Sequence, residues 1–388
     1  MKLFEFNIIE LYLLGCIGLF FLIQITYYLL LYNRKNRNNK QSKIKEQPAN
    51  YPPLSVVIYA KDEVYNLREF LPLILQQDYP EFQVVVINDN PTDGSDDYLK
   101  LLEEKHKNLY HSFTPNSARY ISHKKLGLTL GVKASKYDWL VFTDANCKPA
   151  SPNWLKCMAD NFTPETKIVL GGYGYEKGNK WLNKKISFDT LFRNMRVLGM
   201  ALCGSPFAGF GRNMAYRKEL FYSVKGFSRH LNLQRGYDDL FINQVAKKSI
   251  TKVETRSDAM MWLKPLSYKK PWREDKLNHV ITSGFYKGGQ KYLLGMETLS
   301  RLLFYTSIIG SVVYGIVYMK YILMGAAVLL WVIRYIVQAL VINKTAKNLG
   351  YKERYYLTLP LFDILQPLQS LRYKILCRIR GKNEFMRR

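Results

Sequence analysis

Acidic and amide side chains follow three apolar, β-branched segments of the sequence, at the point where each segment ends. These side chains are Asp62 and Glu63 after the first segment, Asp89 after the second, and Asp144 and Asn146 after the third. Carboxylate and amide oxygens bind hard divalent cations and the hydroxyl groups of ribose. Asp144 and Asn146 are separated by one small residue, so both can point to one side and hold a cation that binds a diphosphate. The pattern therefore predicts a nucleotide site with Mn²⁺ or Mg²⁺ at Asp144 and Asn146, whereas a single such loop would also fit a helix N-cap.

Glycine-rich phosphate-binding patterns do not occur after the predicted strands. The sequence has no GxxxxGKS/T segment and no GxGxxG segment in that position. A cation therefore has to balance the charge of the diphosphate in place of a glycine-rich cradle. The first segment runs into Lys61-Asp62-Glu63 without a glycine, which argues against the nucleotidyltransferases, a rival class of enzyme.

The apolar segments have the composition of strands that are buried on both faces of a sheet. Residues 54–60, 82–87, 139–143 and 167–170 form short, nearly continuous apolar runs. Segments of helical length lie between them, such as 66–77 and 96–105. The alternation of strands and helices predicts a doubly wound α/β domain, and ligands of such domains bind beyond the carboxyl ends of the strands. This rule brings the three acidic loops to one edge of the sheet.

Apolar segments also flank the predicted α/β domain. Residues 11–32 are long enough to cross a membrane as a helix, and 302–319 and 321–342 predict two further spans joined by a short loop. Arg334 lies inside the last span, where we expect it to face a partner helix or to reach the interface. A soluble helical hairpin is the alternative for these two segments. Residues 355–371 are apolar but contain two prolines, which favours an interfacial or re-entrant helix.

Basic residues give the chain a net charge of +26. They cluster in 34–45 and 372–388, each time beside an apolar segment, and the positive-inside rule assigns such clusters to the cytoplasm. We therefore expect a multi-pass protein of the inner (cytoplasmic) membrane whose catalytic domain faces the cytoplasm. No nucleic-acid-binding signature occurs, so nucleic acid is not an expected partner. The five cysteines contain no CxxC pair and are expected to be free thiols.

The order of the motifs resembles the membrane-bound family 2 glycosyltransferases, which are inverting enzymes with the GT-A fold. The segments that carry the resemblance, in the order of the family, are 55–63, 86–95, 124–133, 142–146, 209–218 and 236–241. The resemblance implies a mixed sheet and transfer of a sugar from a nucleotide sugar, most commonly a UDP-sugar. It also implies a lipid-linked or glycan acceptor, with a hexose or N-acetylhexosamine as the sugar.

The resemblance assigns roles to individual residues. The catalytic base is Asp238 or Asp239, and Asp238 is the favoured candidate. The base takes a proton from the acceptor hydroxyl, on the face opposite the leaving diphosphate. The residues expected to bind the nucleotide sugar are Asp62, Glu63, Asp89, Lys125 and Asp144. Those expected on the acceptor side are Gly211, Arg212, Asn213 and His279.

Three departures from the family pattern affect these expectations. Asn146 stands where the family has an aspartate, which weakens a site for a hard cation. Tyr237 stands where an acidic residue is usual. Residues 272–279 replace the Gln-x-x-Arg-Trp motif of processive polysaccharide synthases, which argues against a processive polymerase. A catalytically degenerate scaffold or partner protein is therefore the alternative to an active enzyme.

Taken together, the patterns predict five regions along the chain. They are a transmembrane anchor at 1–33, a basic linker at 34–50, a catalytic domain at 51–295 with interfacial helices near 270–295, a transmembrane hairpin at 296–343, and an amphipathic or re-entrant segment with a basic tail at 344–388.

Overall fold

The structure, a computed structural model, describes residues 7–34, 36, 50–115 and 122–379. Most of the predicted linker at 34–50 and the basic tail from residue 380 onward lie outside the described residues. The first described element is helix α1 (Ile8–Thr26), which continues as a π-helix over Tyr27–Tyr32. Together these two segments cover the predicted anchor at 11–32, and α1 begins three residues before it.

The described strands belong to two sheets. In chain order they are β1 (Leu54–Ala60), β2 (Phe82–Asn88), β3 (Leu109–Phe113), β4 (Trp139–Asp144), β5 (Cys147–Pro149), β6 (Ile168–Leu170), β7 (Tyr173–Tyr175), β8 (Met214–Arg217), β9 (Thr251–Val253) and β10 (Met261–Leu263). The larger sheet has the order β3-β2-β1-β4-β8-β6-β9, and the smaller has the order β5-β10-β7.

The described helices after α1 pack on the sheets or form the membrane part of the protein. They are α2 (Val64–Leu75), α3 (Ser95–Lys105), α4 (His123–Ala134), α5 (Trp154–Ala159), α6 (Trp181–Leu202), α7 (Lys218–Ser223), α8 (Asp239–Val245), α9 (Lys270–Ser283), α10 (Gln290–Val317), α11 (Tyr321–Asn348) and α12 (Leu359–Ile379).

The larger sheet is mixed, and its parallel part forms the predicted doubly wound core. Strands β1, β2, β3 and β4 are parallel, and β8 pairs antiparallel with both β4 and β6. The central residues of β1 and all of β4 are buried, as expected for strands covered on both faces. The fold class is therefore confirmed. The strand predicted at 167–170 is β6, which the antiparallel β8 separates from the other predicted strands.

Helix α4 lies unusually close to the sheet because two of its residues have no side chain. A Cβ atom at Gly127 would come within 2.6 Å of the Tyr59 ring, and one at Gly131 within 2.6 Å of Val57. Since β1 and α4 pack so closely, the amino-terminal end of α4 reaches the carboxyl end of β1. This packing brings the first residues of α4 to the edge where the acidic loops lie.

Three described helices are long and apolar enough to cross a membrane, and they cover Ile8–Tyr32, Gln290–Val317 and Tyr321–Asn348. Helix α10 begins twelve residues before the predicted span at 302–319 and ends two residues before its end. Helix α11 begins at residue 321 as predicted and ends six residues later than predicted, and the short loop between the two helices is present. Helix α12 does not meet this criterion. It exposes an apolar stripe that includes Leu361, Leu368 and Ile375, as expected for an interfacial helix.

Arg334 is buried among the helices of the membrane region, as expected for a cation that faces a partner helix. Its Nη2 atom lies 2.8 Å from Oδ2 of Asp363 in α12 and donates to Gln24 of α1 at 3.0 Å. The Asp363 carboxylate also lies 3.3 Å from Arg301 and accepts a hydrogen bond from the Tyr305 hydroxyl at 2.6 Å. These polar contacts join the anchor, the hairpin and α12 into one bundle.

Candidate functional site

A cavity of about 300 Å³ opens at the carboxyl ends of β1 and β4. Its walls come from the loop after β1, the start of α4, the end of β4, the loop before β8, the start of α8, and helices α6 and α9. The charged side chains in its lining are Lys61, Glu63, Lys124, Asp144, Arg193, Arg212, Arg235, Asp238, Asp239, Asp275 and His279. The position matches the edge at which the sequence predicts the ligand site.

Two of the residues predicted to bind the nucleotide sugar, Asp62 and Asp89, lie outside the cavity lining, in the loops after β1 and β2. Asp62 has a positive φ of 50° and is exposed, and its Oδ1 atom accepts hydrogen bonds from the backbone and hydroxyl of Thr92. Asp89 is fully buried behind Tyr59, whose hydroxyl donates to it at 2.6 Å. Burial opposes ionisation of Asp89, but hydrogen bonds from Thr114, Tyr59 and His123 outweigh it and lower the pKa. Both aspartates therefore fix the shape of these loops.

Glu63 lies between these loops and the cavity. Its side chain lines the cavity and accepts a hydrogen bond from Asn66 in the first turn of α2. Burial raises the pKa of the Glu63 carboxyl above its usual value. Of the three acidic residues predicted in the loops after β1 and β2, Glu63 is therefore the one that faces the cavity.

Asp144 ends β4 and is buried, and two cations approach its carboxylate. Lys124 Nζ lies 2.6 Å from Oδ1, and Arg212 Nε lies 3.4 Å from Oδ2. Burial opposes ionisation, but the charges of Lys124 and Arg212 outweigh it and lower the pKa of Asp144. Asp144 is therefore an anion with two cations beside it, and an added diphosphate would compete for those cations.

Lys125 is the lysine predicted to face the donor, but in the structure Lys124 lines the cavity and Lys125 does not. Lys125 is buried, and its ammonium group donates to the backbone carbonyls of His230 and Leu233. Burial lowers the pKa of Lys125 to about 8. Neighbouring residues of a helix point in different directions, so only one of the two lysines can face the cavity. Lys125 instead anchors the loop before α8.

Tyr237, which departs from the family pattern, forms a wall of the cavity. The ammonium group of Lys124 lies 4.4 Å from the centre of the Tyr237 ring, a cation–π arrangement. The same ring packs against Gly211, where a Cβ atom would come within 2.5 Å of it. Tyr237 therefore holds Lys124 in place beside Asp144, and Gly211 provides the space for the ring.

Asp238 and Asp239 have different surroundings, although they are neighbours in the chain. Asp238 keeps part of its surface open to the cavity, and its Oδ2 atom accepts a hydrogen bond from the Gly211 amide at 3.1 Å. Burial of the carboxyl and the charge of Asp239 raise the pKa of Asp238. A carboxylate with a raised pKa is a stronger base, which suits proton removal from a hydroxyl.

The carboxylate of Asp239 is occupied by internal hydrogen bonds. Its Oδ2 atom accepts from the hydroxyls of Thr282 at 2.5 Å and Tyr286 at 2.7 Å, and its Oδ1 atom accepts from the Leu240 amide at 2.8 Å. Burial opposes ionisation, but hydrogen bonds from His279, Thr282 and Tyr286 lower the pKa of Asp239 to about 2. Asp239 therefore fastens α8 to α9, and Asp238 is the better candidate for the base.

The predicted acceptor-side residues separate into cavity-lining and structural residues. Gly211, Arg212 and His279 line the cavity. Asn213 is fully buried, and its amide donates to the carbonyls of Gly172 and Ala259 while its oxygen accepts from Trp154. Asn213 therefore holds the loop that presents Arg212.

Helix α9 brings Asp275 and His279 to the cavity, and only His279 was predicted from the sequence. Asp275 lies 3.5 Å from His279, 3.7 Å from Arg193 and 3.9 Å from Arg212. In this helix, a role on the acceptor side was assigned from the sequence to His279 alone. Asp275 and Arg193 were missed because no motif marks them. The helical spacing of Asp275 and His279 is the signal that could have found Asp275.

Comparison with known proteins identifies the central part of the chain. Residues 55–224 match the family model of glycosyl transferase family 2. The chain carries a family 2 glycosyltransferase domain. The match includes β1, β4 and the Asp144 loop but ends before Asp238. The match to a family of glycosyl transferases argues against the nucleotidyltransferase alternative.

The chain is similar to solved structures of glycosyltransferases. The mannosyltransferase PcManGT from Pyrobaculum calidifontis, in complex with GDP-Man and Mn²⁺, shares 18% identity over 88% of this chain and 100% of its own, with a TM-score of 0.56. TarS residues 1–349 from S. aureus shares 15% identity over 77% of this chain and 88% of its own, with a TM-score of 0.41. The likeness to PcManGT shows that the described part has a GT-A type fold.

The glycosyltransferase offers oxygen ligands that fit a divalent cation. Asp144 presents an ionised carboxylate and Asn146 an amide oxygen, and both line the cavity. Within 7–34, 36, 50–115 and 122–379, no three His, Cys, Asp or Glu side chains are grouped as a complete metal site. Two protein ligands suffice for Mg²⁺ when phosphates of the substrate complete the coordination. The donor set therefore fits a cation that arrives with a diphosphate.

The two neighbouring lysines at the start of α4 provide a matched test of the site. We expect Lys124→Met to raise the dissociation constant of the nucleotide donor about 10- to 100-fold, because a charge-assisted hydrogen bond contributes about 1.5–3 kcal/mol. The temperature of unfolding should change little, since Lys124 lies at a cavity. Isothermal titration calorimetry measures the first quantity and thermal unfolding the second.

Lys125→Met is the control for this prediction. It leaves the carbonyls of His230 and Leu233 without their donor, so we expect a loss of stability of about 1–3 kcal/mol. If Lys125→Met weakened donor binding more than Lys124→Met at equal folding, the assignment of the two lysines would be reversed.

Proposed function

We propose that this glycosyltransferase moves a sugar from a nucleotide sugar to an acceptor hydroxyl, with inversion, at the surface of a membrane. The observation that carries the proposal is that Asp144 and Asp238 line one cavity. Asp144 lies beside two cations that suit a diphosphate, and Asp238 is a carboxyl with a raised pKa that suits a base. A UDP-sugar is the proposed donor, because the family resemblance favours that class.

In the proposed reaction, Asp238 accepts the proton of the acceptor hydroxyl as the oxygen attacks the anomeric carbon. The bond from that carbon to the diphosphate breaks on the opposite face, which inverts the configuration. Lys124 and Arg212 stabilise the negative charge that develops on the leaving diphosphate. When bound at Asp144 and Asn146, Mn²⁺ or Mg²⁺ would supply a Lewis acid for the same charge.

A lipid-linked or glycan acceptor is proposed because the catalytic domain is joined to membrane helices at both ends. In this proposal helix α12 lies along the membrane interface, and its contact with α9 includes the rings of Tyr373 and Trp272, whose centres are 6.4 Å apart. Helix α9 contributes Asp275 and His279 to the cavity. An acceptor that is carried in the membrane would therefore approach along these helices. The cytoplasmic face of the inner membrane is the proposed location, since nucleotide sugars are made in the cytoplasm.

Thermal unfolding in the presence of nucleotide sugars tests the proposed donor. We expect one UDP-sugar to stabilise the detergent-solubilised protein by about 2.7 kcal/mol at a hundredfold excess over its dissociation constant. Addition of EDTA should reduce the stabilisation, because the cation at Asp144 and Asn146 accompanies the diphosphate. GDP-sugars and free nucleotides serve as the comparison set.

The outcomes of the screen separate the proposal from its alternatives. Stabilisation by a GDP-sugar alone would replace the proposed donor but keep the reaction. Tight binding of a nucleotide sugar without hydrolysis or transfer to any acceptor would support the degenerate scaffold. Stabilisation by no nucleotide sugar would contradict the proposed function.

A further inference from the structure

A second cavity, of about 400 Å³, lies outside the catalytic site. It opens beside β9, which is the last strand of the larger sheet, and beside the carboxyl end of α6. Its lining includes Arg34, which follows the anchor helix directly, and Thr251 of β9. The cavity therefore lies where the membrane anchor meets the catalytic domain.

The charge of this second cavity is mainly positive. Its lining contains Arg34, Lys248, Lys252 and Arg256 together with one carboxylate, that of Glu254. Arg256 lies 2.6 Å from the Glu254 carboxylate, so these two charges largely cancel. Arg34, Lys248 and Lys252 are exposed side chains whose charge Glu254 does not cancel. The cavity is therefore suited to an anion.

Thr251 provides an independent sign of a ligand. Its side chain lines the cavity and is nine-tenths buried, with an exposed fraction of 9%. Within the part of the chain that the structure describes, its hydroxyl oxygen has no hydrogen-bond partner. A buried hydroxyl without a partner costs about 1–3 kcal/mol. An anion bound in the cavity would supply the acceptor that this hydroxyl lacks.

The surroundings of the cavity indicate that the anion has an apolar part. The sulfur of Cys203, in the cavity lining, lies 4.0 Å from the carbonyl oxygen of Leu30 in the anchor. Leu29 and Leu30 are 44% and 59% exposed, so the last turns of the anchor present an apolar surface. Cations and an apolar surface are thus adjacent at the carboxyl end of the anchor.

We propose that this cavity binds the phosphate group of an anionic phospholipid from the leaflet in which the anchor ends. The phosphate would accept hydrogen bonds from Lys248, Lys252 and Thr251, and the acyl chains would lie along Leu29 and Leu30. Inorganic phosphate offers the same anionic group but lacks the chains, so it would leave the apolar surface exposed. The bound lipid would fix the catalytic domain against the membrane, independently of the transfer reaction.

Thermal unfolding of the full chain in a neutral detergent tests this proposal. The probes are dioleoyl phosphatidylglycerol, dioleoyl phosphatidylcholine and inorganic phosphate, each titrated separately. We expect saturable stabilisation by phosphatidylglycerol only. Lys248→Glu with Lys252→Glu should weaken it by about 30-fold, since each basic residue near an anionic surface favours binding severalfold. Native mass spectrometry should show one retained anionic lipid in the wild type and none in this variant.

A matched control removes the effect of net charge. Lys105→Glu with Lys107→Glu changes the charge equally, and both lysines are exposed and precede β3, at the opposite edge of the sheet from β9. This variant should respond like the wild type.

A second variant, Thr251→Val, keeps the shape of the side chain and removes an unpaired hydroxyl. We expect it to fold normally and to bind phosphatidylglycerol about threefold to tenfold more weakly, as for the loss of one hydrogen bond. Equal responses of the two double variants, or equal stabilisation by phosphatidylcholine, would overturn the proposal. Stabilisation by inorganic phosphate at the same concentration would overturn the assignment to a lipid.

Discussion

Asp238→Asn should lower the rate of sugar transfer about 100- to 10,000-fold, the range expected when a general base is removed. The amide keeps the size of the carboxyl and can still accept the hydrogen bond from Gly211. We therefore expect nearly unchanged donor binding, and the loss should appear in kcat rather than in KM. Initial rates and donor titrations on the same preparation measure the two effects.

The pH profile gives this prediction a second readout. A base must be deprotonated to work, and burial together with Asp239 raises the pKa of Asp238. The wild-type rate should therefore fall on the acid side at a higher pH than for an ordinary aspartate. The residual rate of Asp238→Asn should lose this acid limb, because the titrating group is absent.

Asp239→Asn is the matched control because it changes the neighbouring carboxyl. An amide nitrogen in place of one oxygen would face the hydroxyls of Thr282 or Tyr286, which now donate to that carboxylate. We expect a lower temperature of unfolding and a smaller loss of kcat than in Asp238→Asn. A larger loss of kcat in Asp239→Asn, with an unchanged unfolding temperature, would make Asp239 the base.

The sequence predicted the parts of the fold that depend on local composition. The strands β1, β2 and β4 were found because they are buried on both faces and therefore have nearly continuous apolar runs. Strand β3 has only one fully buried residue and contains His111, so its run is not apolar. Strand β8 was missed because its place between β4 and β6 depends on pairing across distant parts of the chain.

The sequence predicted which loops form the site, but not which of their side chains face the cavity. The rule for carboxyl ends of strands located Asp144 correctly at the cavity edge. It could not distinguish Lys124 from Lys125, because that choice depends on the rotation of α4 against the sheet. Arg193 and Asp275 belong to helices that reach the cavity only through tertiary packing.

 Arg193 precedes Asp238 by 45 residues, and Asp275 follows it by 37 residues. No local pattern links positions at such distances, so their meeting in one cavity had to come from the structure.

The buried charges of the membrane bundle lead to the second large expected effect. Asp363→Leu should lower the free energy of unfolding in detergent by about 3–5 kcal/mol, the usual cost of removing one partner of a buried ion pair. Asp363 is fully buried and lies beside both Arg301 and Arg334, so its loss leaves two buried cations without this carboxylate. Thermal or denaturant unfolding of the purified protein measures the loss.

The double variant Arg334→Met with Asp363→Leu is the control for this prediction. It removes the Arg334 cation together with the carboxylate, while Arg301 keeps its ion pair with Glu297. We therefore expect the double variant to be more stable than Asp363→Leu alone. A double variant that is as unstable as the single one would show that packing of α12, rather than charge pairing, accounts for the loss.

The same variants test whether the membrane bundle supports the catalytic site. Asp363 attaches α12 to the bundle, α12 packs against α9 through Tyr373 and Trp272, and α9 carries Asp275 and His279. Loosening of α12 should therefore lower transfer activity at temperatures below unfolding, and the double variant should recover part of it. Full activity of folded Asp363→Leu would show that the cavity keeps its geometry without this attachment.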